Sequence, residues 1–261
     1  MMENNTQLKE MIRSMVIDIL QGQKQEMASS QPIKQAPRGQ VEPGVFDTVD
    51  EAIQAAKAAQ ARFEDCTLAT REKVIADIRA AMRPRVQELA QKTVDETGMG
   101  RVADKVLKLN LTLDKTPGVE DLVTECETGD NGMTLYELSA YGVIGAITPS
   151  TNPAETLICN TIGMLAAGNA VFFSVHPGAK HLSRLLVSEL NQIIAKSIGI
   201  ENLIVTLREP SIESAQEMML HPDVSLLVVT GGPGVVKQAL QSGKKVIGAG
   251  AGNPPAFVDE T

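Results

Sequence analysis

The chain has 261 residues, 43% of them hydrophobic, and its 24 Lys+Arg against 32 Asp+Glu leave a formal charge of −8. That length suffices for one large domain with appendages, while the acidic balance and the lack of a basic stripe argue against wrapping nucleic acid. No apolar run approaches the ~20 residues of a membrane span, and MMENNTQLKE lacks the basic region and apolar core of a secretion signal. Three separated cysteines and three scattered histidines indicate neither a disulfide framework nor a metal site, and a reducing cytoplasm is the simple compartment.

In chain order, residues 6–20 set Leu8, Met11, Ile12, Met15, Val16, Ile19 and Leu20 at spacings of three and four, the apolar stripe of a short helix. Residues 21–44 are rich in Gln, Pro and Gly and read as a flexible linker. The stripe either folds back on its own domain or meets a partner. From residue 45 the body begins. Thr48-Val49-Asp50-Glu51 has the form of a capping box and opens a helix through about residue 64. A second helix starts near Thr70, Pro84 suits the first turn of a third, and Gly98 in ETGMG caps that one. A fourth runs from about Val102 to Lys115, ahead of Pro117. Residues 45–116 therefore form a helical layer.

From Met133 the period changes. MTLYELS alternates and VIGAIT is continuous, two expected strands; AVFFSV, LIVTL, SLLVVT and KKVIGA then alternate with helices after Pro153, at about 179–196, at 211–220 and at 233–241. This is an α/β pattern: a Rossmann-type parallel sheet flanked by helices. Ligands bind beyond the carboxyl ends of such strands. Four turns therefore matter: TPSTNP, HPGAK, TGGPG and GAGAGNPP.

TGGPG opens a helix after a strand and can turn amides to a phosphate, although it is not GxGxxG. In GAGAGNPP, alternate glycines either bring bare backbone to a ligand or make a wide turn into a last strand, AFVDE. His176 ends a strand as a structural or a contacting residue. Asn152 is held by Pro153 outside helical geometry. It can N-cap the following helix or offer its NH2 to an oxygen, and the turn alone favours the cap.

Taken together, ETGMG, DKTPGVEDL, TGDNGMTL, TPSTNPAET, LLVVTGGPG and GAGAGNPPAFVDET resemble the aldehyde dehydrogenase superfamily over nearly all of residues 45–261. More narrowly, they resemble the CoA-acylating propionaldehyde and acetaldehyde dehydrogenases of bacterial microcompartments. The resemblance implies NAD-dependent conversion of propanal or acetaldehyde and coenzyme A to an acyl-CoA through a cysteine thioester. Asn152 matches the asparagine that steadies the oxyanion. Thr148, Pro149, Ser150, Thr151, His176, Pro177, Thr230, Gly231, Gly232, Ala249 and Gly250 match positions around the dinucleotide. Ala249 stands where hydrolytic relatives carry the water-activating glutamate.

Such a family continues into a domain with the nucleophilic cysteine, whereas this sequence runs to Asp259-Glu260-Thr261. Cys159 is expected to be a buried small residue two turns into its helix, and Cys66 and Cys126 lie away from the strand ends. The expected reading is an N-terminal, cofactor-binding portion, inactive alone, that oligomerises when intact. Residues 1–20 then become an encapsulation helix that docks on shell or co-cargo proteins inside a microcompartment of the bacterial cytoplasm. A truncated binding or shell-docking fragment without chemistry is the alternative.

Overall fold

The computed structural model describes residues 42–249 and 255–259. The expected stripe at 6–20, most of the 21–44 linker and Gly250 lie outside the described residues. Glu42 and Gly44, placed by sequence in the linker, already belong to the folded unit. Glu42 accepts from Arg184 (2.6 Å) and Arg208 (3.0 Å). Gly44 adopts φ +77° in a spot where a Cβ would stand 2.7 Å from the Ile204 carbonyl oxygen.

A short strand, β1 (Val45–Phe46), leads into helix α1 (Val49–Glu64). The expected cap is half made: Thr48 Oγ1 accepts from Glu51 N–H at 3.4 Å. Helix α2 (Leu68–Met82) starts two residues earlier than Thr70 suggested, because Thr67 Oγ1 caps it through Thr70 N–H. A 3-10 turn at Arg83–Arg85 holds Pro84 and passes into α3 (Val86–Thr97), which ends on left-handed Gly98 as expected. Helix α4 (Val102–Lys115) completes this layer.

MTLYELS is corrected in its setting. Gly132–Tyr136 (β3) pairs antiparallel with Glu125–Gly129 (β2), a strand the sequence did not announce, and this exposed hairpin stands apart from the main sheet. Among the described residues the main sheet is six-stranded and parallel, in the order β1-β6-β5-β4-β7-β8. Its other members are β4 (Val143–Ile147), β5 (Ala170–Ser174), β6 (Ile204–Leu207), β7 (Val224–Thr230) and β8 (Lys245–Ala249). Residues 255–259 form no strand, so the described part of AFVDE, Ala256 to Asp259, does not extend it.

Between these strands run α5 (Pro153–Ala166), α6 (Lys180–Ile198), α7 (Ile212–Leu220) and α8 (Pro233–Leu240). Helices α5 and α6 cover one face, with α2, α3 and α4 packed outside them; α1 and α7 meet on the other. Adjacent Phe172 and Phe173 point to opposite faces of β5 and are fully buried, so each core takes one ring, worth ~2–3 kcal/mol by area. On β4, Gly145 lets α7 sit close: a Cβ there would stand 2.2 Å from Met218 Sδ.

Strands β4, β5 and β6 progress toward one edge, and β7 and β8 toward the other. The order reverses between β4 and β7. The crevice beyond their carboxyl ends is where an open α/β sheet binds ligands.

Candidate active site at the carboxyl ends of the sheet

The two turns flanking the reversal are among the four singled out by sequence. Residues 148–152 leave β4, and Gly231-Gly232 leave β7. Thr148 is buried and its N–H donates to Ser174 O at 3.1 Å, pinning the end of β4 to that of β5. Pro149 and Ser150 are half-buried and Thr151 is exposed. At β5, His176 and Pro177 are exposed, and His176 Nδ1 accepts from Gly178 N–H at 3.0 Å. The histidine therefore caps its own turn while standing open at the strand end. Thr230 and Ala249 pair across β7 and β8, bringing these two site positions side by side.

Gly232 is the N-cap of α8, with Pro233 at the first helical position. Val235 and Val236 N–H turn back to Gly232 O, at 3.1 and 3.3 Å. A Cβ on Gly232 or Gly234 would meet nothing within 4 Å, and neither has positive φ. Nothing within the described residues requires glycine there.

Asn152 precedes α5 at φ −140° and ψ 59°, and its side chain makes no cap hydrogen bond. The cap favoured by the turn alone is therefore not formed by the amide. Instead Asn152 Oδ1 accepts from Lys105 Nζ (3.2 Å) and Lys108 Nζ (3.1 Å), both on α4. Lys105 also donates to Thr151 O and stands 3.4 Å from Glu155 Oε1. Asn152 Nδ2 has only a long contact, 3.5 Å, to Thr151 Oγ1. Beside it opens a cleft of about 710 Å3, bordered by Met99, Arg101, Leu107, Lys108, Thr151 and Asn152.

Sequence reasoning missed Lys105, Lys108 and Glu155. The signal was present: Lys105 stands on the stripe of Val102, Leu109 and Leu113 that α4 turns inward. A charge on an apolar stripe announces a buried pair.

Cys159 is corrected: it is exposed. Leu157, Ile158, Thr161, Ile162 and Leu165 occupy the inward arc of α5, and Cys159 falls with Gly163 on the opposite side. Seven residues beyond Asn152, it is about 10 Å away along the axis. Cys126 lies on the exposed hairpin, and Cys66, half-buried, joins α1 to α2. None of the three borders the cleft.

Residues 19–261 match the model of the aldehyde dehydrogenase family. The chain is 48% identical over 258 residues to the CoA-propanoylating propanal dehydrogenase of Salmonella typhimurium, which covers 99% of this chain and 53% of that protein. It is 49% identical over 221 residues to the acetylating acetaldehyde dehydrogenase EutE of Escherichia coli, covering 84% and 47%. Among solved structures, a propionaldehyde dehydrogenase from the fucose utilisation microcompartment of Clostridium phytofermentans superposes with TM-score 0.80 at 50% identity, covering 82% of this chain and 49% of that one. The Rhodopseudomonas palustris propionaldehyde dehydrogenase, solved with CoA and an acylated cysteine, gives 0.79 at 52%, covering 81% and 49%. The chain thus spans about half the length of the relatives it matches. With its parallel sheet, its strand-end turns and these matches, the chain belongs to the aldehyde dehydrogenase family.

Proposed function

We propose that the described unit is the cofactor-binding part of a CoA-acylating aldehyde dehydrogenase that converts propanal or acetaldehyde, NAD and CoA to acyl-CoA and NADH. The observation that carries this reading is Asn152, whose amide oxygen is taken by two ammonium groups while its nitrogen keeps a donor beside the cleft. Such a donor, aimed at the oxygen of an aldehyde under attack, is typically worth ~3 kcal/mol of barrier.

The strand-end residues fit a dinucleotide. Thr148–Thr151, His176, Pro177, Thr230–Gly232 and Ala249 stand at the carboxyl ends of four strands, and the glycines at α8 leave open space against bare backbone. When bound there, NAD supplies the hydride acceptor. Ala249 presents a methyl group at the end of β8, where it cannot act as a base for water. A CoA thiol is intrinsically the better second nucleophile, which suits acyl transfer. The attacking thiolate is none of Cys66, Cys126 and Cys159, because none borders the cleft.

The placement of these three cysteines away from the cleft favours a second reading, in which the chain binds cofactor or shell protein without chemistry. In either case residues 6–20 are the proposed docking helix, in a microcompartment setting like that of the Clostridium relative. One experiment separates the two. The chain is mixed with propanal, NAD and CoA while NADH absorbance is followed, beside a direct NAD titration. CoA-dependent NADH formation supports the enzyme, NAD binding alone supports the module, and neither turnover nor binding refutes the proposed site.

A further inference from the structure

Lys105 is 3% exposed and Glu155 7%, a buried pair that the strand-end turns do not account for. Among the described residues neither Glu155 oxygen has a hydrogen-bond partner, and the nearest cation, Lys105 Nζ, stands off at 3.4 Å. The ammonium spends its hydrogen bonds elsewhere, on Thr151 O and Asn152 Oδ1. We propose that Lys105 is a positioning residue: it fixes which end of the Asn152 amide accepts and so leaves the nitrogen as the free donor, and Glu155 serves as the counter-charge that lets an ammonium reside there. The functional meaning of this clamp rests on Asn152 acting as the oxyanion donor.

An ammonium group donates and cannot accept. With two ammonium groups on one end of the amide, flipping the side chain would set NH2 against NH3+, so only one orientation is compatible with both lysines. The helix itself does not fix the side chain, which makes no cap. The two lysines are not equivalent. Lys108 is exposed and reaches the side chain of Asn152, whereas Lys105 is buried and grips the backbone of Thr151 as well as the side chain of Asn152. Glu155 lies three residues after Asn152, on the same side of the first turn of α5, so one cation from α4 reaches both. A buried pair contributes little to net stability; its specific product here is a side chain with one allowed direction.

The test reads the order of that amide on the 15N-labelled chain. The Asn152 NH2 pair is assigned by its loss in Asn152→Asp. Expected is an order parameter near that of rigid backbone, about 0.85, falling below about 0.6 in Lys105→Met. Lys108→Met should leave it high and Lys105→Arg, another donor-only cation, should restore it, with backbone resonances of α5 unmoved throughout. An Asn152 amide equally ordered in Lys105→Met, or equally loosened by Lys108→Met, overturns the proposal.

A second measurement needs no substitution and stands if Lys105→Met does not fold. The Lys105 ammonium protons should exchange slowly enough to be seen in a 15N-lysine spectrum and show an Overhauser effect to Glu155. A freely exchanging Lys105 overturns the clamp. Both readouts are independent of catalysis: if Asn152→Ala leaves turnover unchanged the oxyanion role fails while the clamp stands, and a mobile amide sinks the clamp alone.

Discussion

If Lys105 and Glu155 neutralise one another inside the protein, removing either charge should cost far more than removing both. At 3.4 Å, with an effective dielectric of about 20, the gross attraction is about 5 kcal/mol. Breaking a buried pair by deleting one partner typically costs ~3–5 kcal/mol, whereas replacing both with apolar groups of similar volume is close to neutral. Lys105 keeps two hydrogen bonds after Glu155→Gln, so the lower end, ~3 kcal/mol, is expected for that variant. Lys105→Met strands a carboxylate with no hydrogen bond at all, and the upper end applies. For a unit of this size ~3 kcal/mol corresponds to a Tm lower by roughly 6–12 °C. Urea unfolding of both single variants and of Lys105→Met/Glu155→Gln closes a double-mutant cycle. A coupling above about 2 kcal/mol, with the double variant recovering much of the loss at an unchanged urea slope, is expected. Losses that add to within about 0.5 kcal/mol would show that the two charges do not compensate one another, and the reasoning would fail.

Gly234→Ala should leave stability within about 0.5 kcal/mol, since its Cβ meets nothing, yet weaken NAD binding by tenfold or more in calorimetry; equal affinity would remove the glycine turn from the site. In preparations that turn over, Ala249→Glu should raise free carboxylate relative to acyl-CoA, and an unchanged product ratio would refute the reading of that position. Ile12→Glu with Met15→Glu should abolish co-purification with shell proteins without altering NAD affinity; retained encapsulation would exclude the stripe as the docking element. Lowering pH should also erode stability in a defined window. Asp223 is held below the ordinary carboxylate range by Lys57 and then Gln54, and Asp77 by Lys73 and then Ser197. Depressed folded values mean that their contribution is complete above the unfolded value of about 3.9 and is lost as pH falls through the lower folded ones. Tm should therefore decline below about pH 4, less steeply in Asp223→Asn.

The helices and the parallel strands were legible because each is long enough to display its period and is punctuated by Pro84, Gly98, Pro153 or Gly168. Two strands escaped. Val45–Phe46 is too short to show alternation, and Glu125–Gly129 is exposed along its length, so it has no apolar face to announce. Cys159 was misplaced because a position two turns into a buried helix does not state its angle about the axis. That angle follows only once Leu157, Ile158 and Ile162 are known to face inward. At the site, the turns were readable from glycine and proline, but the lysine clamp lies 46 residues upstream of Thr151. Only the packing of α4 on α5 brings it there.

The two roles open to Asn152 compete for the same atoms. An asparagine that caps its helix commits Oδ1 to an N–H of the first turn and directs its amide by that bond; giving up such a cap costs ~1 kcal/mol. The start of α5 reduces this cost in two ways. Pro153 at the first helical position removes one donor that would need a partner, and Glu155 places a carboxylate in the first turn, where the helix dipole favours it. The backbone of Asn152 still begins the helix, its carbonyl accepting from Thr156 N–H at 3.1 Å. Backbone and side chain are thereby separated: the helix takes the carbonyl, Lys105 and Lys108 take Oδ1, and Nδ2 keeps a donor to spare. Glu155 then serves both ends of the arrangement, stabilising a helix start that has no side-chain cap and the cation that replaces the cap as the anchor of Asn152.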